Sequence, residues 1–404
     1  MRNITIVGGG QAGLQLGLGL VQKGYRVRVI SNRTAEDIAT GKVMSSQFMF
    51  NDALQAERDL GINYWEKQCP YTQGLGVIVA APDGGKAIDW VYQLDKPGQA
   101  VDQRVKYPGW MKKFQELGGE LIIREAAIPD LENYARESDL VVVAGGKGDI
   151  SKMFERDAAR SPFDKPMRAL ALTYVTGLIP HELTRVTFSI APTVGEYFVF
   201  PALTITGPCE IMVFEGNPGG PMDCWSDVKT PDQHLERSLE VLNKFFPWEA
   251  ERSRNAKLTD ANGILAGRFP PTVRKPIARL PSGALVLGMA DAVVLNDPIT
   301  GQGSNNAAKC ARVYLKRILD NGTKPFDGAW MQQTFDEYWA YAQFVTGWTN
   351  AFLQPLPPHA VNILVAAQSK SKIGKAFVNG FDDPRTFFPW LADPAEAEKF
   401  IQAA

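Results

Sequence analysis

Histidine is scarce. His181, His234 and His359 are the three in 404 residues, and none lies near another in the chain. A histidine-built metal centre or a Ser-His-Asp triad therefore has little raw material. Four cysteines, Cys69, Cys209, Cys224 and Cys310, show no C-x-x-C spacing and read as free thiols in a reducing cytoplasm. Charge nearly cancels, with 43 Lys and Arg against 44 Asp and Glu. Nothing electrostatic then recommends nucleic acid or an anionic membrane as partner. No apolar run is long enough to span a bilayer. The opening MRNITIVGGGQAGLQLGLGL has the look of a leader, but three consecutive glycines cut it and no cleavage motif follows. Repeats and low-complexity tracts are absent too. What is present is ordinary globular composition, 45% hydrophobic and 22% charged, with enough chain for two or three cores.

Glycine is placed with more purpose. Residues 3–8 read as a buried parallel strand, 11–23 as a helix and 26–30 as a second strand. Between the first two lies IVGGGQAG, which supplies Gly8, Gly10 and Gly13 in the G-x-G-x-x-G spacing. Gly8 permits the tight turn, Gly10 lets a pyrophosphate approach the backbone, and Gly13 lets helix and strand close on each other. Gln11 and Ala12 complete the helix start on which the phosphates would sit. An acid is expected at the end of the second strand to hold ribose hydroxyls, but the chain reads Ile30-Ser31-Asn32-Arg33. Asn32 can bond a ribose without adding charge, and Arg33 can face phosphate. NADP is therefore a rival to FAD at this point.

A second motif separates the rivals. In ADAVVLNDPITGQGSNNAAKC, residues 290–310, Asp297-Pro298 breaks the preceding strand, and Gly301 and Gly303 open a helix. Asp291, read as the end of a strand, can hold a ribityl chain. Backbone N–H groups from Gly301 through Gln302, Gly303, Ser304 and Asn305 can stabilise negative charge at the N1 and C2 carbonyl of a flavin ring. A nicotinamide dinucleotide needs no such distant anchor, so the pair of motifs favours FAD. The plain alternative is an ordinary loop-to-helix turn.

These segments predict an α/β chain. A Rossmann-type FAD-binding domain is assembled from residues 1–50, 96–165 and 276–320. A mixed or antiparallel β-sheet substrate domain covers 51–95 and 166–275, and a helical C-terminal region covers 321–404. His181 reads as a surface loop residue, the acids across 119–160 as solvated faces, and GNPGGP at 216–221 as a turn.

Beyond these motifs, AVDQR (100–104), VVVAGGKGD (141–149), SPFDKPMRAL (161–170), DPITGQGSN (297–305), WTN (348–350) and LPP (356–358) together resemble the two-component FAD-dependent styrene/indole monooxygenase family. The resemblance implies the glutathione-reductase-like flavoprotein hydroxylase fold. It implies that Lys42 and Arg104 contact FAD beside the glycine motifs and Asp291. It implies FADH2 delivered by a separate NADH-dependent flavin reductase, O2 as co-substrate, and a small aromatic substrate epoxidised by a C4a-hydroperoxyflavin, with no catalytic side chain. A homodimer is compatible with it. In VMSSQFMFND (43–52), Ser45, Gln47 and Met49 stand where the styrene branch carries Asn, Val and His, and they resemble the indole branch. Ser45, Ser46, Gln47, Met49, Pro298 and Gly98 are the substrate-side residues on this reading. Its plain alternative is a core-packing strand. An FAD-dependent dehydrogenase or reductase on the same fold, and a non-catalytic FAD-binding protein, are the competing functions.

A single G-x-G-x-x-G leaves no second Rossmann unit for a nicotinamide. The purified chain is therefore expected not to oxidise NADH at rates matching product formation; an anaerobic and aerobic NADH-consumption assay without any reductase checks this.

Overall fold

The computed structural model describes residues 2–145 and 149–404, so residues 146–148 of the VVVAGGKGD motif lie outside the described residues. Short, almost wholly apolar runs such as ITIV and LVVV build the first sheet, as expected where both faces are covered. Its six strands run in the order Ile277–Arg279, Leu285–Gly288, Leu140–Val143, Asn3–Val7, Arg26–Ser31, Glu120–Ile123. All neighbours are parallel except the edge strand Ile277–Arg279. The sheet thus draws on three separated stretches of sequence.

The helix Gln11–Gln22 is buried from Gln11 to Leu20. It is covered on one side by the sheet and on others by the helices Gln103–Glu116 and Gly303–Asn321. Its glycines make that possible: a Cβ at Gly17 would meet the Phe114 ring at 3.2 Å, and one at Gly19 would meet Leu315 at 2.6 Å.

The second sheet is mixed. Its order is Lys257–Leu258, Ala169–Thr176, Gly207–Gly216, Gly195–Thr204, Arg185–Ala191, Thr72–Ala80, Lys86–Ala100, Phe48–Met49, with Ile264–Gly267 also paired to Ala169–Thr176. Only Thr72–Ala80 and Arg185–Ala191 run parallel. Strand Lys86–Ala100 passes unbroken through the expected border at 95/96, because its final residues pair with Phe48–Met49. Helix Gly328–Phe352 packs its first half against the parallel-sheet core and its end, with the helices Pro358–Ala366, Ser371–Gly380 and Pro394–Gln402, against the core of the mixed sheet. Trp90 Nε1 donates to the Leu364 carbonyl at 2.9 Å, and Trp348, Phe377, Phe381 and Phe387 form a mutual aromatic cluster. The expected α/β class, with a second mixed sheet and a helical C-terminus, is what the chain adopts.

Two local readings change. Residues 42–47 have no regular structure, and only Phe48–Met49 of the 43–52 segment is a strand. Asp291 does not end a strand: Leu285–Gly288 stops earlier, and Asp291 sits in the 3₁₀ turn Ala290–Ala292. The four cysteines are free of disulfides, and three of them are buried. No helix among the described residues is long and apolar enough to cross a membrane.

At Gly13 a Cβ would lie 2.0 Å from the Gly8 carbonyl oxygen, so Gly13→Ala must displace backbone. At Gly24 the φ is +79° with nothing within 4 Å, so Gly24→Ala incurs only the left-handed penalty, about 1–2 kcal/mol. Denaturant unfolding is expected to show the larger loss for Gly13→Ala.

Candidate flavin and substrate site

The glycine turn leaves the C-terminal end of Asn3–Val7. Gly8 has φ +130°, and a Cβ there would stand 2.8 Å from the Gly145 nitrogen. Gly10 is extended, caps the helix Gln11–Gln22 without any side-chain bond, and has nothing within 4 Å of its Cβ position. A helix start buried among its neighbours yet open at its capping residue is suited to a phosphate. Ala12 packs into the core, while the Gln11 side chain turns inward to Gln15 and Glu57.

The second helix start repeats the arrangement. Asp297 Oδ1 accepts the Ile299 N–H at 3.1 Å and so caps the short turn Pro298–Thr300. Gly301 follows in the left-handed region, at φ +64°. Helix Gly303–Asn321 begins without a side-chain cap, and Cβ positions at Gly301 and Gly303 meet nothing within 4 Å. Gln302 is buried and donates through Nε2 to the Phe381 carbonyl at 3.0 Å, whereas Ser304 is half-buried in the first turn. Asn305 is buried and fully engaged. Its Nδ2 donates to the carbonyls of Phe48 (2.9 Å) and Gly301 (3.0 Å), and its Oδ1 accepts the Phe50 N–H at 2.8 Å. The 48–50 segment is thereby tied to the Gly301 turn. Two uncapped helix starts, both open at glycine, give a dinucleotide's phosphates and an electron-rich ring edge complementary places. The residues present fit a flavin dinucleotide on that ground.

The remaining sequence-derived candidates distribute unevenly. Asn32 is exposed at the end of Arg26–Ser31, and Lys42 is exposed in the irregular 42–47 segment. The Arg33 guanidinium contacts the Met44 sulfur, and its main chain is held by the Ser31 hydroxyl. Asp291 is exposed on its 3₁₀ turn. Arg104 departs from its expected role. Its side chain is 0% exposed, bonded to Asp102 (2.9 Å), to both oxygens of Asp260 (2.8 and 3.0 Å) and to the Thr204 hydroxyl (3.0 Å). Burial opposes ionisation of Asp260, but its bonds to Arg104 outweigh this and hold the carboxyl below its usual range. Arg104 thus pins the Asp102 turn to the substrate-side sheet rather than presenting its donors to a cofactor.

On the substrate side a closed hydrogen-bond ring stands out. Gln103 Nε2 donates to Ser45 Oγ at 2.8 Å, and Ser45 Oγ to Gln47 Oε1 at 3.0 Å. Gln47 Nε2 donates to the Tyr174 hydroxyl at 2.9 Å, which itself donates to the Ser45 carbonyl at 2.8 Å. Gln47 is buried with φ +37°, an uncommon conformation for a residue with a side chain. Its amide oxygen already has one partner and keeps one lone pair. Tyr174 was not foreseen, because it lies 127 residues from Gln47, on the strand Ala169–Thr176. Burial raises its hydroxyl pKa and keeps it protonated.

Met49 and Gly98 also need correction. Met49 is buried beneath Lys106, whose Nζ lies 3.3 Å from the Met49 sulfur and 2.7 Å from Glu57. A Cβ on Gly98 would stand 2.5 Å from the Phe48 ring, so the position supports Phe48 rather than opening into space. Pro298 and Ser46 are half-buried near these segments. His181 is half-buried rather than on the surface; burial, then Arg252 and Arg185, push it down to about 3, so it is neutral. Among the described residues no cluster of three or more His, Cys, Asp or Glu is arranged to hold a metal ion.

Comparison with known proteins adds three findings. Residues 146–252 match the family model described as "Styrene monooxygenase A putative substrate binding domain", which spans the centre of the mixed sheet. A styrene monooxygenase, StyA, of Pseudomonas fluorescens is 29% identical over 402 residues, covering 97% of this chain and 96% of that protein. Among solved structures, the flavin-dependent brominase Bmp2 superposes with a TM-score of 0.68 at 14% identity, over 100% of this chain and 98% of that one. A flavoprotein/dehydrogenase from Cytophaga hutchinsonii gives 0.68 at 12%, over 100% and 99%. The two structures share this fold.

Because Gly10 has a φ of −96° and an open Cβ position, Gly10→Ala is expected to lower unfolding stability by no more than about 1 kcal/mol, the cost of a poorer capping residue. The methyl group would instead occupy the approach to the helix start, so FAD affinity should fall; paired unfolding and flavin-fluorescence titrations measure the two effects.

Proposed function

We propose that this chain, which belongs to the styrene monooxygenase family and is a flavin-dependent monooxygenase, takes FADH2 from a separate NADH-dependent reductase and epoxidises the C2=C3 bond of indole. Bound reduced FAD supplies, with O2, an electrophilic oxygen; this chemistry belongs to the cofactor. The chain's part is to bind, orient and keep dry. The helix starts at Gly10 and Gly303 would take the phosphates and the anionic edge of the ring. Lys42, Asn32 and Asp291 are exposed and can move onto the adenosine or ribityl portions. The aromatic wall of Phe48, Phe50, Phe200 and Phe381 would exclude water from the reacting double bond.

The observation that carries the indole reading is the held amide of Gln47. Indole resembles styrene in shape but carries an N–H donor, and burying that donor unpaired costs about 1–3 kcal/mol. The lone pair left on Gln47 Oε1 can accept it. The amide cannot swing away easily, since Ser45 and Tyr174 fix both its ends. It also adjoins the segment that Asn305 ties to the Gly301 turn. A dehydrogenase on the same fold would need no O2, and a binding protein would consume no flavin.

Mixing the purified chain with FADH2, O2 and indole, without reductase, distinguishes these outcomes: oxidised-indole product supports the reading, and its absence with intact flavin binding removes it. We expect kcat/KM for indole to exceed that for styrene about ten-fold or more, or ~1.4 kcal/mol. Gln47→Val should shrink that ratio by weakening indole turnover. Tyr174→Phe, which frees one end of the amide, should shrink it in part. Equal loss of both activities in Gln47→Val would make the residue a packing element.

A further inference from the structure

A second buried polar cluster lies under the Gly301 turn. Glu215, on strand Gly207–Gly216, is fully buried, and neither of its carboxyl oxygens has a hydrogen-bond donor. Asp297 is buried beside it; its Oδ1 accepts from Ile299, while its Oδ2 has no donor. The two carboxyls are close enough that each perturbs the ionisation of the other. Glu215 also stands directly opposite Glu196 in the sheet register, an arrangement that is destabilising when both are charged.

The cation available is Arg168, and its bonds go elsewhere. Nε and Nη2 clasp Glu196 at 2.7 and 2.9 Å, and the remaining bonds reach the carbonyls of Met167, Phe352 and Leu353. The adjoining helix Gly328–Phe352 offers hydroxyls, with Thr346 on Asn296 and Thr349 on Thr300. Three carboxyls therefore face one guanidinium in a dry environment. Burial raises both Glu215 and Asp297 above the usual carboxylate range; at Glu215 the charges of Asp297 and Glu196 add to it against Arg168, while at Asp297 the Ile299 N–H and Arg168 oppose it without overcoming it. Two facing carboxylates without a donor between them are untenable there, whereas one proton supplies the missing donor.

We propose that Glu215 and Asp297 hold a single shared proton, and that this bond is a positioning element that fixes the Asp297–Gly301 turn under the flavin-binding helix start. The shared proton rests on the burial and the unpartnered oxygens of the two neighbouring carboxyls; its effect on flavin rests on the function proposed above. At neutral pH the folded pair keeps a proton that the unfolded chain has released. Stability is therefore greatest at lower pH and falls as pH rises through the folded pair's titration. Beyond it the carboxylates repel, Asp297 is driven from Ile299, and the helix start shifts.

Infrared difference spectra of the ligand-free full-length chain, wild type against Glu215→Gln, test the proton directly. The glutamine amide can still donate to Asp297 but cannot titrate. We expect a protonated-carboxyl carbonyl band in the wild type that titrates away at alkaline pH and is missing from the variant. We expect the wild-type Tm to fall with pH where the variant stays flatter. FADH2 affinity should weaken with pH in the wild type relative to the variant, by up to about tenfold per pH unit for one linked proton. No protonated-carboxyl band in the wild type, or the same band and the same pH profiles in both proteins, overturns the proposal. Should Glu215→Gln fail to fold, titration of the wild-type band decides it. If the wild type binds no flavin at any pH, the functional reading fails, while the infrared and Tm results still judge the shared proton.

Discussion

Three hydrogen bonds from one side chain hold the candidate site together. Asn305 is in the first turn of its helix, where its own side chain is free of helical duty, and it bonds the main chain at Phe48, Phe50 and Gly301. Phe48 belongs to the mixed sheet's edge strand, Phe50 caps the helix Asn51–Asp59 that follows it, and Gly301 belongs to the turn after Pro298–Thr300. A buried amide with all three bonds made is stable, and one with a bond broken is costly. This residue therefore fixes the placement of the ring-facing helix against the substrate-side loop by directed bonds, in addition to the surrounding apolar packing.

Around that clamp the chain buries charge sparingly and in matched sets. Arg104 is shared between Asp102 and Asp260, Lys106 is set against Glu57, and Arg168 against Glu196. Such pairs contribute little net stability compared with apolar replacements, but removing one partner is severe. Each joins segments distant in sequence: Arg104 and Asp260 are 156 residues apart, and Lys106 and Glu57 are 49 apart. They act as registration points between sheet and helices. Glu215 and Asp297 are exceptions, buried carboxyls with no cation of their own.

Much of the fold was legible because its signals are local. The IVGGGQAG turn, the apolar strands flanking it and the Asp297-Pro298 break each declare themselves within a few residues. Roles that depend on distant partners were not legible. Arg104 gives no hint in AVDQR that Asp260 will claim it. Met49 reads as a pocket lining until Lys106 is found above it, and Gly98 reads as open space until Phe48 is found against it. Asp291 was misplaced because an apolar run does not reveal where a strand gives way to a 3₁₀ turn. The Gln47 ring falls between these cases: its residues were singled out, but Tyr174, which closes it, lies on a strand that sequence spacing cannot align.

The strand order carries a consequence for how the chain is made. In the parallel sheet, Leu140–Val143 sits between Asn3–Val7 and Leu285–Gly288. The glycine turn after Asn3–Val7 thus emerges well before Leu285–Gly288, a strand of the same sheet more than 270 residues further along the chain. Leu140–Val143 is itself made about 140 residues before Leu285–Gly288 and, at typical elongation rates, waits on the order of ten seconds for it. During that time Leu140–Val143, apolar on both faces, has an open edge that the last strand has not covered. A nascent chain of this topology is most exposed to aggregation just before residue 288, and a chaperone holding that edge would matter more to yield than any single contact in the finished protein.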